Sequence, residues 1–204
     1  MRISIGTPSI LDISASVSSR GFLASASCRF CNLYKDECFR MTPLDEWRKD
    51  LAELASYQPY ARRIYWTGAN PFAMSFENLK SRALAVYDYL PECQTMAMFS
   101  SIRDIKNKKV KQLRILRSLG INGLSIGVES GDDSTLALAN KGYTAKDIIE
   151  QCRKLDEAGI EYYFVYMTGL AGKGRGYIKQ LVTGMRKKQQ NSIRTISWRL
   201  SKIR

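Results

Sequence analysis

Four short apolar runs, each separated from the next by an amphipathic stretch, constrain the fold of this chain more than any other feature. The runs cover residues 63–67, 95–99, 123–128 and 162–167, rich in β-branched or aromatic side chains and flanked by glycine or polar residues, as strands are. Helix-like stretches lie between them at residues 43–57, 75–90, 107–119 and 144–158. Thr42 followed by Pro43 reads as a cap with proline at the first helical position, where its missing N–H costs nothing. Val110, Leu113, Leu116 and Leu119 recur at helical spacing, as do Ile148, Ile149, Cys152 and Leu155, so each of these helices buries one face. Repeated strand and helix demand parallel strands joined by right-handed crossovers. The fold class is α/β, as a partial or complete barrel or as an open doubly wound sheet. In either, ligands sit at the carboxyl ends of the strands. The segments after the runs, residues 67–70, 100–103, 129–132 and 168–172, all carry small or polar residues.

Several chemistries are excluded at once. The chain has no histidine, which removes imidazole acid–base catalysis, Ser-His-Asp and Cys-His arrangements, and imidazole-bound zinc. Its apolar runs are all interrupted well before the roughly 18 to 20 residues of a membrane span. The five cysteines are odd in number and follow nothing that reads as a secretory signal, so a reducing, cytoplasmic setting is expected.

The net charge of +13 suggests a nucleic-acid partner until it is located. Residues 177–204 hold eight Lys or Arg and no acid. A block of that kind reads either as a solvated tail or as a basic patch, and specific nucleic-acid binding is not expected from it. Residues 1–27 hold eight serines and a single acid, the look of an irregular or non-native leader, or of a transit peptide. Three zones follow: a leader at 1–27, an α/β domain at 28–176 and a basic tail at 177–204 that is extraneous to the sheet and adds no strand to it.

The pair Cys28-Arg-Phe-Cys31, with Cys38 six residues further on, can bring two thiolates to one metal or cluster. Spacing alone leaves three readings open: a zinc or iron–sulfur half-site, a redox pair, or two structural thiols. Cys93 and Cys152 fall in positions that read as core.

Four segments in order carry a resemblance: Cys28 to Asp36 followed by Phe39-Arg40; Trp66-Thr67-Gly68-Ala69-Asn70 with Pro71-Phe72-Ala73; Ile121 to Asp133 with its Gly127-Val128-Glu129-Ser130-Gly131 turn; and Gly169-Leu170-Ala171-Gly172. Together they resemble the radical S-adenosylmethionine (SAM) superfamily, in particular the branch grouped with oxygen-independent coproporphyrinogen oxidases.

The resemblance implies a partial (β/α) barrel, truncated here after about the fifth strand. It also implies a 4Fe-4S cluster, SAM as the second cofactor, an external electron donor and an organic substrate of unidentified structure. Carried over by position, Cys28 and Cys31 match the last two cluster ligands and Phe30 the aromatic between them. Cys38 would be a third thiolate by a different loop path. Gly68, Ala69 and Asn70 match the loop that receives the SAM amino group, Glu129 and Ser130 the residues near the ribose, and Gly169 and Leu170 the backbone that approaches the adenine. Two departures stand out. Residues 21–27 lack the first family cysteine, and Asn70 stands where the family usually shows an acid. A zinc-binding module with a basic tail, or an inactive remnant, are the alternatives.

Overall fold

A computed structural model describes residues 28–31, 41–68, 70–167 and 169–171, together with the main chain of 12–13 and 196–199. Six parallel strands run in chain order across one sheet: β1 (Asp12–Ile13), β2 (Arg63–Trp66), β3 (Thr95–Ser100), β4 (Ile121–Glu129), β5 (Tyr162–Met167) and β6 (Ile196–Arg199). The helices are α1 (Leu44–Tyr57), α2 (Phe76–Tyr89), α3 (Ile102–Lys106), α4 (Val110–Ser118), α5 (Asp133–Leu138) and α6 (Ala145–Ala158), with a 3-10 turn at Pro71–Ala73. Strand order never reverses, so this is the order of a partial barrel, and the doubly wound alternative is excluded.

Burial alternates along the strands and separates the two faces of the sheet. Ile64, Trp66, Met96, Met98, Leu124, Ile126, Val128, Phe164 and Tyr166 are buried and join one core with Trp47 and Leu51 of α1, Leu79 and Val86 of α2, Leu113 and Leu116 of α4, and Ile148 and Leu155 of α6. Trp47 meets Trp66 edge-on at 5.0 Å. The opposite face carries Tyr65, Ala97, Phe99, Gly127 and Val165, all at least partly exposed. There Tyr65 donates to Ser125 Oγ at 2.8 Å, Ser125 donates in turn to Tyr163 Oη, and the rings of Tyr65 and Phe99 meet edge-on.

Three details differ from the sequence reading. Pro43, not Thr42, is the N-cap of α1: its carbonyl accepts from Trp47 N–H, and no side chain caps the helix. The helix expected over 107–119 is α4, at Val110–Ser118, but a separate five-residue helix, α3, precedes it. A box in which the Asp104 carboxylate accepts from Ser101 N–H and Oγ starts α3 early, and α4 begins only at Val110. Finally, the tail does add a strand. Ile196–Arg199 pairs in parallel with β5, from Phe164↔Ile196 to Met167↔Arg199, and carries the sheet past a fifth strand. β6 takes up the edge N–H and C=O groups that β5 would otherwise leave unpaired. The alternation Ile196, Ser197, Trp198, Arg199 is strand-like but only four residues long, too short to stand out by period. At the other edge Asp12–Ile13, within the stretch read as an irregular leader, pairs with Tyr65 and Trp66.

Candidate cofactor cleft

Because every strand is parallel, the segments that follow β2, β3, β4 and β5 share one edge of the sheet, and the cleft is built there. After β2 the chain turns at Gly68, whose φ of 110° favours glycine. Asn70 then opens the 3-10 turn, and its amide Nδ2 donates to Asp104 Oδ2 at 2.7 Å. A carboxylate only accepts, so the NH2 must face Asp104 and the amide oxygen must point away. That oxygen is buried without a hydrogen-bond partner. Lys108 braces the same loop from behind. Its ammonium donates to the Phe72 carbonyl at 2.8 Å and the Asp104 carbonyl at 3.3 Å, and it stands 4.5 Å over the Phe72 ring. Burial pushes its pKa down to about 8.

The end of β4 is bent by design of its residues. The pairing with β5 shifts register between Gly127 and Glu129, Glu129 takes a left-handed φ of 60°, and Ser130 N–H closes a tight turn on the Val128 carbonyl at 2.7 Å. Such backbone is costly for a residue with a Cβ and collects at functional sites. A Cβ at position 127 would stand 2.9 Å from Glu129 Oε1, so glycine there leaves room for the carboxylate. Ser130 is buried and its Oγ accepts from Asp132 N–H at 3.1 Å. Asp132 then caps α5 by accepting from Thr135 N–H.

The far end of α5 returns the chain to the same place. Asn140, at φ 56°, closes a Schellman motif in which its own N–H reaches the Ala137 carbonyl and Lys141 N–H reaches the Leu136 carbonyl. Lys141 is thereby set 3.7 Å from Glu129 Oε1 and 5.7 Å from the ring centres of both Phe30 and Tyr143. Gly142 follows at φ 68°, with the Arg103 guanidinium lying where a Cβ would go. Tyr143 Oη donates to the Gly127 carbonyl at 2.9 Å. Burial, then the charges of Glu129 and Cys28, holds the Tyr143 hydroxyl well above its ordinary pKa.

The cysteine turn docks on this platform. Arg29 N–H donates to the Ala139 carbonyl at 3.2 Å, and Cys31 N–H folds back to the Cys28 carbonyl at 3.1 Å. The side chains of Cys28 and Cys31 are half-buried. Of the residues singled out from sequence, Cys28, Cys31, Phe30, Glu129 and Ser130 are thus assembled around Lys141 and Tyr143, and Asp104 also acts on Tyr143 electrostatically, which brings Asn70 into the same neighbourhood. Gly169, at φ 80°, and Leu170 follow β5 at the same edge and are part-buried. Cys38 and Ala69 lie outside the described residues. Among the described residues no three of His, Cys, Asp and Glu are grouped to hold a metal ion, and no helix is long and apolar enough to cross a membrane.

Sequence reasoning missed Asp104, Lys141 and Tyr143. Asp104 had a signal in the Ser101-to-Asp104 capping spacing. Lys141 and Tyr143 had none beyond lying next to a glycine.

The family model described as Radical SAM superfamily matches residues 25–183. The heme chaperone HemW of Bacillus subtilis (strain 168) is 25% identical over 153 residues, which are 72% of this chain and 40% of HemW. The chain therefore spans about two fifths of that relative's length. Two solved structures share the fold. Coproporphyrinogen III oxidase (HemN) from Escherichia coli, described as a radical SAM enzyme, aligns with a TM-score of 0.61 at 14% identity over 85% of this chain and 41% of its own. The radical SAM methyltransferase TsrM from Kitasatospora setae, with cobalamin and a [4Fe-4S] cluster bound, aligns with a TM-score of 0.62 at 15% identity over 86% and 32%. Radical SAM enzymes use a 4Fe-4S cluster and SAM.

Proposed function

The chain belongs to the radical SAM superfamily, and from that premise we propose that its cleft holds SAM beside an iron–sulfur cluster and starts radical chemistry on an organic substrate, with electrons from an external donor. The observation that carries this reading is the docking of the Cys28–Cys31 turn beside the end of β4: Arg29 N–H donates to the Ala139 carbonyl, and the Phe30 ring faces the same Lys141 that pairs with Glu129. Lys141 thus joins the cysteine turn, through Phe30, to the strained end of β4.

The donor set fits the groups in kind. Thiolates are the natural ligands of such clusters, and Cys28 and Cys31 would supply two. The chain has no cysteine before Cys28, and a third thiolate would come from Cys38. SAM carries an ammonium and two ribose hydroxyls. The partnerless Asn70 Oδ1 would accept from the first, and Glu129 with Ser130 would receive the second. Gly169 and Leu170 would let main chain approach the adenine. When bound, the cluster supplies one electron to cleave SAM reductively. The chain's own part is to bind and orient: Lys141 holds the Glu129 carboxylate, Tyr143 ties the cysteine turn's surroundings to β4, and the Lys108 brace fixes the Asn70 loop. A reducing, cytoplasmic setting, where thiols stay reduced, suits this reading.

Anaerobic reconstitution with iron and sulfide tests the reading. The expected product is a brown chromophore with matched iron and sulfide, lost in Cys28→Ala and Cys31→Ala, that releases 5′-deoxyadenosine from SAM under strong reductant. Loss also in Cys38→Ala would identify the third ligand. Tight zinc binding without a sulfide-dependent chromophore would favour the non-enzymatic metal module instead.

A further inference from the structure

Asp104 is a buried carboxylate, 7% exposed, whose hydrogen bonds all fall on one oxygen. Oδ2 accepts from Asn70 Nδ2 at 2.7 Å, Ser101 N at 2.8 Å and Ser101 Oγ at 2.7 Å. Among the described residues no Lys or Arg forms an ion pair with it. The Lys108 ammonium acts on this carboxylate only through space, its hydrogen bonds being committed to the main-chain carbonyls of Phe72 and Asp104 itself. A buried carboxylate with no directly paired cation has an oxygen left over to receive one. Beside it, Asn70 Oδ1 is a second buried oxygen with no donor. The two side chains are locked together by the 2.7 Å bond, so their remaining acceptors belong to one unit.

We propose that Asp104 and Asn70 form a two-oxygen acceptor for an alkylammonium group, with the charge supplied by Asp104 from the segment after β3 in place of the neutral residue after β2. Its natural occupant is the amino group of SAM, which rests on the reading of the cleft given above. Asn70 alone would offer one neutral oxygen. The carboxylate it touches turns that oxygen into part of a charge-assisted site, roughly twice as strong as a neutral one. The capping box keeps the carboxylate in place through Ser101, and the Lys108 brace fixes the loop that carries Asn70, so the acceptor pair is preorganised.

Calorimetric titration of the full reconstituted chain with SAM and with its deaminated 2-oxo analogue reads this directly. The expected result is tighter binding of SAM by about tenfold or more, the worth of one charge-assisted hydrogen bond. In Asp104→Asn that preference collapses while affinity for the deaminated analogue stays within about twofold. A merely structural Asp104 would weaken both ligands alike, and that outcome overturns the proposal. Equal affinity of the wild-type chain for the two ligands overturns it without any variant, so failure of Asp104→Asn to fold does not protect it. If the wild-type chain binds neither ligand, the SAM reading itself fails. If it binds both without distinguishing the amino group, only the Asp104 assignment fails.

Discussion

Lys141 Nζ stands 3.7 Å from Glu129 Oε1, with the two side chains 10% and 12% exposed, and this pair joins the end of β4 to the segment that follows α5. At that distance and burial, removing one partner takes a buried counter-charge from the other. Phe30 extends the junction to the cysteine turn.

Lys141→Met is therefore expected to cost about 2 to 4 kcal/mol of stability. Adding Glu129→Gln should recover part of that loss, because it removes the carboxylate that Lys141 now faces. Urea denaturation of both single variants and the double variant gives the coupling. Additive losses would mean that the two side chains act independently and that Lys141 contributes by packing against Phe30 and Tyr143 alone.

Gly142 and Gly159 offer an internal comparison. Both are left-handed, at φ 68° and 71°, but a Cβ at 142 would stand 1.6 Å from Arg103 Nη2, whereas nothing lies within 4 Å of one at 159. Gly159→Ala should cost only the backbone term of about 1 kcal/mol. Gly142→Ala should cost that and also push the Arg103 guanidinium off its seat. Thermal melts measure the first difference. Slower or weaker iron–sulfur reconstitution in Gly142→Ala, with Gly159→Ala unaffected, would show that the Arg103 seat matters to the cleft.

The strands were legible because their apolar runs are short and each is followed by a glycine or polar turn, and observed β5 coincides with the run at residues 162–167. The helix read over 107–119 is α4, whereas α3 ahead of it went unread because its five residues are too few to show a helical period. At the cleft, the cysteine pair and the Glu129 turn could be found as local patterns. Lys141 and Tyr143 could not, since their roles arise from the Schellman turn at Asn140 that folds them back toward β4, a placement decided by tertiary geometry. Asp104 was hidden for a similar reason: it looks like a helix cap, and it is one, but the same carboxylate also holds Asn70 from 34 residues away.

The start of α6 makes a pH prediction. Thr144 and Asp147 form a reciprocal capping box, and Lys106 donates to Asp147 at 3.0 Å. Hydrogen bonds from the Thr144 main chain and hydroxyl, then from Lys106, hold the Asp147 carboxyl down to about 2 from its ordinary 3.8. A carboxyl depressed in the folded state contributes stability above the ordinary value and loses it as pH falls from 3.8 toward 2. Asp147→Asn should cost about 1 kcal/mol at neutral pH and should flatten that part of the acid-unfolding curve. An unchanged curve would mean that other carboxylates dominate acid unfolding.

Lys108 titrates in the alkaline range, and there too stability rises with pH. Burial lowers its folded-state pKa to about 8 from 10.5, so between those values the unfolded chain binds the extra proton and stability rises with pH. Below about pH 8 the cost of the buried charge is present in full. The slope expected from this one group is at most about 1.4 kcal/mol per pH unit. Lys108→Met should remove the slope, and it should also free the Phe72 carbonyl that the ammonium now holds at 2.8 Å, loosening the loop that carries Asn70. Denaturation at pH 7.5 and pH 10 in both chains separates the two effects. A slope that survives in Lys108→Met would assign it to another group, and a loop made no more open to hydrogen exchange by the substitution would deny Lys108 its bracing role.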